Sequence, residues 1–220
     1  MGEIFLGSVN FDSLLRQVSL TGGAFEPHAM SREAISVVSA ELELLEFTRY
    51  KRGPEWPVRE CYEVVRARHH ERADMPTLTS VGDELGWQAR LPSIRGLNNK
   101  LWYPNYVNVL RYYSQSGDAI SVHRDFSYDH YLIGVLTVEG YTEFAFHGES
   151  VVDDPVIWQL GPGSLVLLRG TDLDSNGVRP YHEPLAPKQG RRTALVYRMD
   201  IRLLEQVEAQ LAASGGGYDD

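Results

Sequence analysis

Cysteine is almost missing from this sequence: Cys61 is the only one in 220 residues. That excludes an internal disulfide framework and any zinc site built on several thiolates. No apolar run approaches the roughly 20 residues that a membrane-spanning helix needs, so no membrane partner is expected. The opening MGEIFLGSVN has no basic stretch leading into a long apolar core, and Leu6 stands where a myristoylation signal wants Ser or Thr. A cytoplasmic protein is the expected class. An excess of positive charge is lacking too, the net charge being −9. Proteins that grip nucleic acid non-specifically are usually basic, because neutralised phosphates drive that binding. Global charge therefore offers no argument for nucleic acid.

What is present suffices for one core. With 43% hydrophobic residues, a chain of 220 is long enough for one well-buried domain and short for two. Residues 31–48 read as an amphipathic helix, with Ser31 as N-cap and Ile35, Val38, Leu42 and Leu45 at helical spacing. The following stretch, 49–72, mixes seven arginines and lysines with aromatics, and reads as a loop or hairpin around Gly53-Pro54 followed by an irregular segment. From about residue 105 the texture becomes short runs of Val, Ile, Leu, Tyr and Phe: VNVLRYY, AISVHRD, YLIGVLTVEG, TEFAFHG, VIWQL, SLVLLRG and TALVYRMD. Turn residues separate them, which predicts a sandwich, barrel or jelly roll. Residues 200–213 return to helical spacing, and the tail 214–220 is expected to be disordered.

The chemistry concentrates in ISVHRDFSYDH, Ile120 to His130. A protein-kinase catalytic loop is excluded, because an Asn is needed five residues after Asp125 and His130 stands there. A metal site fits better. His123 and Asp125 lie two apart in a strand-like run, so both side chains share a face. Together with a second His they would make the 2-His-1-carboxylate triad of non-haem Fe(II) oxygenases, which leaves positions open for a co-substrate and oxygen. His147 and His182 are the candidates for that second His. His69-His70 and His130 are weaker ones.

The stretch YSQSGDAISVHRD, from Tyr113, resembles the Y-x-x-G-x-x-I-x-x-H-x-D core of the AlkB-like family of Fe(II)/2-oxoglutarate dioxygenases. LGPGSLVLLRG, then RPYHEP, then GRRTALVYR continue that family's order, over roughly residues 105–199. The resemblance implies an α+β, mostly β fold: a double-stranded β-helix (jelly-roll) core with N-terminal helices and a C-terminal helix. It implies one dioxygenase domain over 1–213, with 1–104 as an N-terminal helical and substrate-lid region, 105–199 as the catalytic core and 200–213 as the C-terminal helix. His182 fits the family's spacing and His147 comes too soon after Asp125. Implied metal ligands, and hence catalytic residues, are His123, Asp125 and His182. The implied cofactors are Fe(II), 2-oxoglutarate and O2.

Arg192 and Arg198 share one strand face with Ala194 and Val196, and a buried arginine needs an anion. By resemblance Arg192 binds the distal carboxylate of 2-oxoglutarate, Tyr113 hydrogen-bonds the same group, and Arg198 sits nearer the iron or Asp125. Arg191, of opposite parity, is expected to point outward. The sequence also departs from the family: Arg111 stands where an Asn helps bind the co-substrate, and Ala194 and Val196 replace a polar pair.

The family's default substrate is a modified nucleobase, oxidised by hydroxylation or oxidative N-demethylation. Tyr50, Arg52, Trp56 and Arg59 are the candidate substrate residues, able to stack on a base and contact phosphate. Arg52, Arg59 and Arg66 forming one positive patch at the mouth would favour nucleic acid. Their pairing with Glu55, Glu60 and Glu63 would favour a small metabolite or a protein side chain. A non-catalytic jelly-roll binding or sensing protein is the remaining alternative. Trp102, Tyr103 and Tyr106 are expected to serve packing.

Overall fold

The computed structural model describes residues 3–68, 75–90, 102–152, 154–173 and 177–204. Helix α1 (Phe11–Thr21) starts at Asn10, whose side chain accepts from Ser13 N at 2.9 Å, and stops at Gly22, where φ is 90°. Strand β1 (Gly23–Glu26) follows, then helix α2 (Arg32–Leu42) with Ser31 Oγ accepting from Ala34 N at 3.2 Å. The helix expected over 31–48 thus begins as predicted but is shorter. Phe47 lies under the Arg111 guanidinium at 3.8 Å, and Thr48 already opens strand β2 (Thr48–Arg52).

Strand β3 (Glu60–Arg68) pairs with β2, so the segment expected to be a hairpin and then irregular is a hairpin with a nine-residue second strand. Its tail, 69–72, falls outside the described residues. Helix α3 (Pro76–Gln88) carries Pro76 at its first turn, and the Glu41 carboxylate of α2 accepts from its Thr77 and Leu78 amides at 2.8 and 3.0 Å. Seven strands complete the fold: β4 (Tyr106–Tyr113), β5 (Asp129–Glu139), β6 (Thr142–Gly148), β7 (Val156–Leu160), β8 (Leu165–Arg169), β9 (Tyr181–Pro184) and β10 (Arg191–Asp200). AISVHRD, read as a strand, is instead an extended segment held by isolated bridges at Ile120 and His123. Residues 201–204 are helical. The rest of the expected C-terminal helix and the tail 214–220 lie outside the described residues.

The strands form two antiparallel sheets, of order β1-β8-β5-β10-β4-β3-β2 and β7-β6-β9. The region before residue 105 is therefore not only helical: three of its segments extend the larger sheet. Alternation along each strand makes that sheet two-faced. One face carries Val107, Val109, Leu132, Leu136, Leu167, Leu195 and Tyr197 under Leu15, Val18, Leu78 and Leu85 of the helices. The other carries Leu110, Ile133, Val135, Ala194 and Val196 opposite Phe144 and Phe146 of the smaller sheet. This is the mostly β, jelly-roll arrangement, with the helices outside. Arg169 of β8 ties α1 down by donating to the Val18 and Ser19 carbonyls at 3.2 and 2.6 Å, at the negative end of the helix dipole. Among the described residues no helix is long and apolar enough to cross a membrane.

Glycine in the middle of β5 has a packing cause. A Cβ on Gly134 would stand 2.8 Å from Leu85 Cδ2, so α3 lies directly on the strand backbone there. Leu85 is fully buried at that contact. Leu85→Ala is expected to destabilise the protein by about 3 kcal/mol in urea unfolding. A loss below about 1 kcal/mol would contradict this packing.

Candidate metal centre

The segment 118–128 reaches the site because its start is anchored. Asp118 is fully buried, takes both Arg49 guanidinium nitrogens at 2.5 and 2.6 Å, and accepts from Tyr113 N at 3.1 Å. Backbone bonds from Cys61 N to Ala119 O and from Ser121 N to Arg59 O, both 2.9 Å, zip the segment to the start of β3. Its far end meets β9: His123 and His182 exchange backbone hydrogen bonds at 3.0 and 2.9 Å. Two histidines distant in sequence thus become a bridged pair, and Asp125 joins them from two residues on.

Among the described residues His123, Asp125 and His182 form the one cluster able to hold a metal, with donor atoms all within 4.8 Å of one another. His123 Nδ1 donates to the Ser121 carbonyl at 2.9 Å and His182 Nδ1 to the Pro180 carbonyl at 3.3 Å. Each ring is thereby oriented and keeps Nε2 for the centre. His182 Nε2 lies 3.3 Å from Asp125 Oδ2. Burial, then the neighbouring His123, pushes the His182 imidazole down to about 3, so it stays neutral, the form that ligates. Burial pushes the Asp125 carboxyl up, but Arg198 at 2.8 Å, then His182 and His123, outweigh it and hold it below the ordinary carboxylate range. Arg179 adds a bond to the Asp125 carbonyl. Two imidazoles with a carboxylate are a donor set suited to Fe(II).

Two spaces meet at this cluster. A narrow inner cleft of about 30 Å3 runs between the sheets, lined by His123, Asp125, His182, Tyr112, Val135 and Arg192. An outer chamber of about 390 Å3 opens toward the β2–β3 hairpin. Arg192 is 1% exposed, and among the described residues it has no carboxylate partner. It donates to Thr137 Oγ1 at 3.3 Å, lies 5.3 Å from the Tyr112 ring centroid, and keeps an unpartnered buried Nε. Burial lowers its pKa from the usual arginine value, though Tyr112 works against that shift. Such a group calls for an anion from outside the chain.

The register on β10 decides which tyrosine faces it. Arg192 pairs with Tyr112 and Arg191 with Tyr113. Tyr113, expected beside Arg192, is therefore on the opposite face, where its hydroxyl donates to Glu63 at 2.9 Å. Ser114, Gln115 and Ser116 separate it from Gly117, one residue more than the motif it resembles, and one residue reverses strand parity. Arg191 points outward as expected, onto Glu139 and Glu43. Arg111 shares that outer face, donating to Glu43 at 3.0 Å, so it does not take the place of a co-substrate-binding Asn in the cleft. Arg198 holds Asp125 as expected.

The substrate candidates divide. Tyr50 and Arg52 line the outer chamber. Arg59 does not line it: the residue is exposed, and its backbone joins Ser121. Trp56 is 51% exposed on the hairpin, stacked only by Arg52 at 5.0 Å. Arg52 is paired with Glu60 at 3.4 Å. Tyr106, expected as packing, lines the chamber, whereas Trp102 is core and Tyr103 is surface. His147 stands on β6 outside the metal cluster, and His130 pairs with Asp172 at 3.5 Å. His69-His70 lies outside the described residues. Of the three arginines expected at the mouth, Arg66 lines the chamber with Arg52. Tyr112 and Asn108 were not among the expected site residues; strand parity opposite Arg192 was the available signal for the first.

No family model matches the sequence, and no curated protein matches it. Solved structures do. A 2OG-Fe(II) oxygenase family oxidoreductase from Burkholderia pseudomallei superposes with TM-score 0.63 at 16% identity, covering 90% of this chain and 95% of that one. A prolyl-4-hydroxylase from Pseudomonas putida gives TM-score 0.61 at 13% identity, over 86% and 98%. The α-ketoglutarate-dependent epimerase SnoN of nogalamycin biosynthesis gives 0.59 at 15%, over 86% and 83%. The fold is that of the 2OG-Fe(II) oxygenases. Within this fold the His-Asp-His cluster lies between the two sheets; the three structures share the oxygenase fold and do not show the AlkB-like group that the sequence motif suggested.

Asp129 borders the site and supplies a test of its electrostatics. Burial first, then Asp125 and Asp200, pushes its carboxyl up to about 7, against Arg198 Nε at 3.3 Å. An unfolded Asp titrates near ~3.9, so between about pH 4 and pH 7 the unfolded state gives up its proton first and stability falls as pH rises. Asp129→Asn is expected to raise the melting temperature of metal-free protein more at pH 8 than at pH 5. An equal shift at both pH values would contradict that assignment.

Proposed function

We propose that this chain is an Fe(II)/2-oxoglutarate-dependent dioxygenase that oxidises a C–H bond of a molecule entering the outer chamber. The observation that carries the reading is Arg192, a buried guanidinium without a counter-ion among the described residues, lining the same cleft as the His-Asp-His cluster. His123, Asp125 and His182 would hold the metal. Bound there with 2-oxoglutarate, Fe(II) supplies the activation of O2 that oxidises the substrate while the keto acid leaves as succinate and carbon dioxide. Arg192 takes the distal carboxylate, and Tyr112, rather than Tyr113, is the hydroxyl beside it. Arg198 keeps Asp125 ionised and aimed. Phe144, Ile133 and Val135 line the cleft and keep water from it. The cleft is narrow as it stands, so entry of 2-oxoglutarate requires its lining side chains to part. The reading takes residues 1–213 as one dioxygenase domain of a cytoplasmic protein, with 105–199 as the catalytic core.

For the substrate, a small molecule or an inserted protein side chain fits better than an alkylated nucleobase. Arg52 is neutralised by Glu60, Arg59 is off the chamber, and the net charge is −9. The observation favouring a base is Tyr50, a ring at the chamber wall flanked by the Arg52 and Arg66 guanidiniums at 5.5 and 5.1 Å. The structural neighbours include a prolyl-4-hydroxylase and an epimerase, in keeping with the first reading.

The experiment is succinate formation from 2-oxoglutarate with Fe(II) and ascorbate, with and without methylated single-stranded DNA. Turnover is expected in the wild type and absent in His182→Ala. Tyr112→Phe is expected to weaken 2-oxoglutarate binding about tenfold, roughly one buried charge-assisted hydrogen bond, and Tyr113→Phe to leave it unchanged. Stimulation by the DNA would restore the nucleobase reading, N-demethylation included. Absence of metal-dependent 2-oxoglutarate binding in folded protein would leave a non-catalytic jelly-roll binding protein instead.

A further inference from the structure

Four carboxylates line the outer chamber, and each lies beside a guanidinium, Asp125 and Asp129 sharing one. Glu60 lies 3.4 Å from Arg52, Asp125 2.8 Å and Asp129 3.3 Å from Arg198, and Asp200 2.6 Å from Arg202. Two lining guanidiniums are different. Arg66 and Arg124 have no carboxylate partner among the described residues. Arg124 donates to the Glu149 carbonyl at 3.1 Å and stacks on Tyr181 at 4.0 Å, with its Nε buried and unpartnered. Arg66 is an exposed residue at the chamber wall, and its contact among the described residues is with a ring: its guanidinium is 5.1 Å from the Tyr50 centroid, and Tyr50 is stacked on Tyr62 at 5.3 Å.

The residue paired with Arg66 across β3 and β4 is Asn108. Its Oδ1 is buried without a hydrogen-bond partner, and its side chain lines the same chamber. A positioned cation without a counter-charge thus stands beside an unmet polar group, in a space of about 390 Å3 whose other end is the His123 and Asp125 cluster. That volume is at the lower end for small organic ligands. A guanidinium held against an aromatic face pairs best with a planar or tetrahedral oxyanion.

We propose that the substrate is a small organic anion, held with its carboxylate or phosphate on Arg66, its polar neighbour on Asn108, and its oxidisable carbon toward the metal cluster. Tyr50 is a positioning residue for Arg66. The proposal rests on the dioxygenase reading and adds the substrate's charge and size to it.

The test is calorimetric titration of phenylacetate, phenyl phosphate and the uncharged phenylacetamide into the full chain. Zn(II) and saturating 2-oxoglutarate are present, so that the metal cluster and Arg192 are already taken. At least one of the two anions is expected to bind ten times more tightly than the amide or better. That preference is expected to vanish in Arg66→Gln, to weaken in Tyr50→Leu and to persist in Arg66→Lys. Equal binding of anions and amide, no binding of either anion, or a preference that survives Arg66→Gln overturns the proposal. Binding of Zn(II) and 2-oxoglutarate is titrated first on the same samples. Failure at that step contradicts the dioxygenase reading, while the dependence on Arg66 still decides the anion subsite.

Discussion

A buried guanidinium without a counter-ion is the constraint on which the site depends. Desolvating a charge is expensive, and a chain normally places a carboxylate beside it. Arg198 follows that rule with Asp125 and Asp129, and Arg191 follows it with Glu139 and Glu43. Arg192 breaks it: among the described residues its company is Thr137 and Tyr112, with no carboxylate. Stability has been given up at that position, and a dianion that reaches from the metal to the guanidinium would recover it.

The architecture explains how such an arrangement is held. The larger sheet has one face for packing and one for chemistry, and the alternation of β10 puts Leu195 and Tyr197 on the first, Arg192 and Arg198 on the second. Helices α1 to α3 load the packing face, with Leu85 against the bare backbone of Gly134. The smaller sheet covers the chemical face and brings His182 to His123 through a two-bond bridge. His182 therefore sits on a paired strand, and the anchored segment 118–128 carries His123 and Asp125. Hydrogen bonds from Arg49 to the buried Asp118, far from the metal cluster in chain order, fix where that segment starts.

Much of this was legible from residues alone. His123 and Asp125 could be picked out because a metal site needs few residue types at restricted spacings, while the choice of His182 over His147 came from the family resemblance; Arg192 and Arg198 could be placed on one face because parity on a strand is a strong constraint. The mostly β core followed from short apolar runs between turn residues. What failed were the places where tertiary contacts override local pattern. Residues 43–48 leave the helix because Phe47 packs under Arg111 and Thr48 joins a sheet. Strand β3 was hidden by its arginines, which are tolerated because alternate positions face the chamber. Tyr113 was misplaced by one inserted residue in the turn after β4, and no periodicity within the strand reveals that. The AlkB-like resemblance stands apart from these: its motif covers metal and co-substrate positions, which many oxygenase folds share, and none that contacts substrate.

The most direct measurement is the melting temperature of Arg192→Met beside the wild type, each with Zn(II), with and without 2-oxoglutarate. A lone buried charge replaced by an apolar chain of similar length should make the unliganded variant melt higher than the wild type. Only the wild type should then gain on adding 2-oxoglutarate, by the linkage between binding and folding. A variant that melts lower and gains as much from 2-oxoglutarate as the wild type would show that Arg192 is a structural residue and that the cleft is not the co-substrate site.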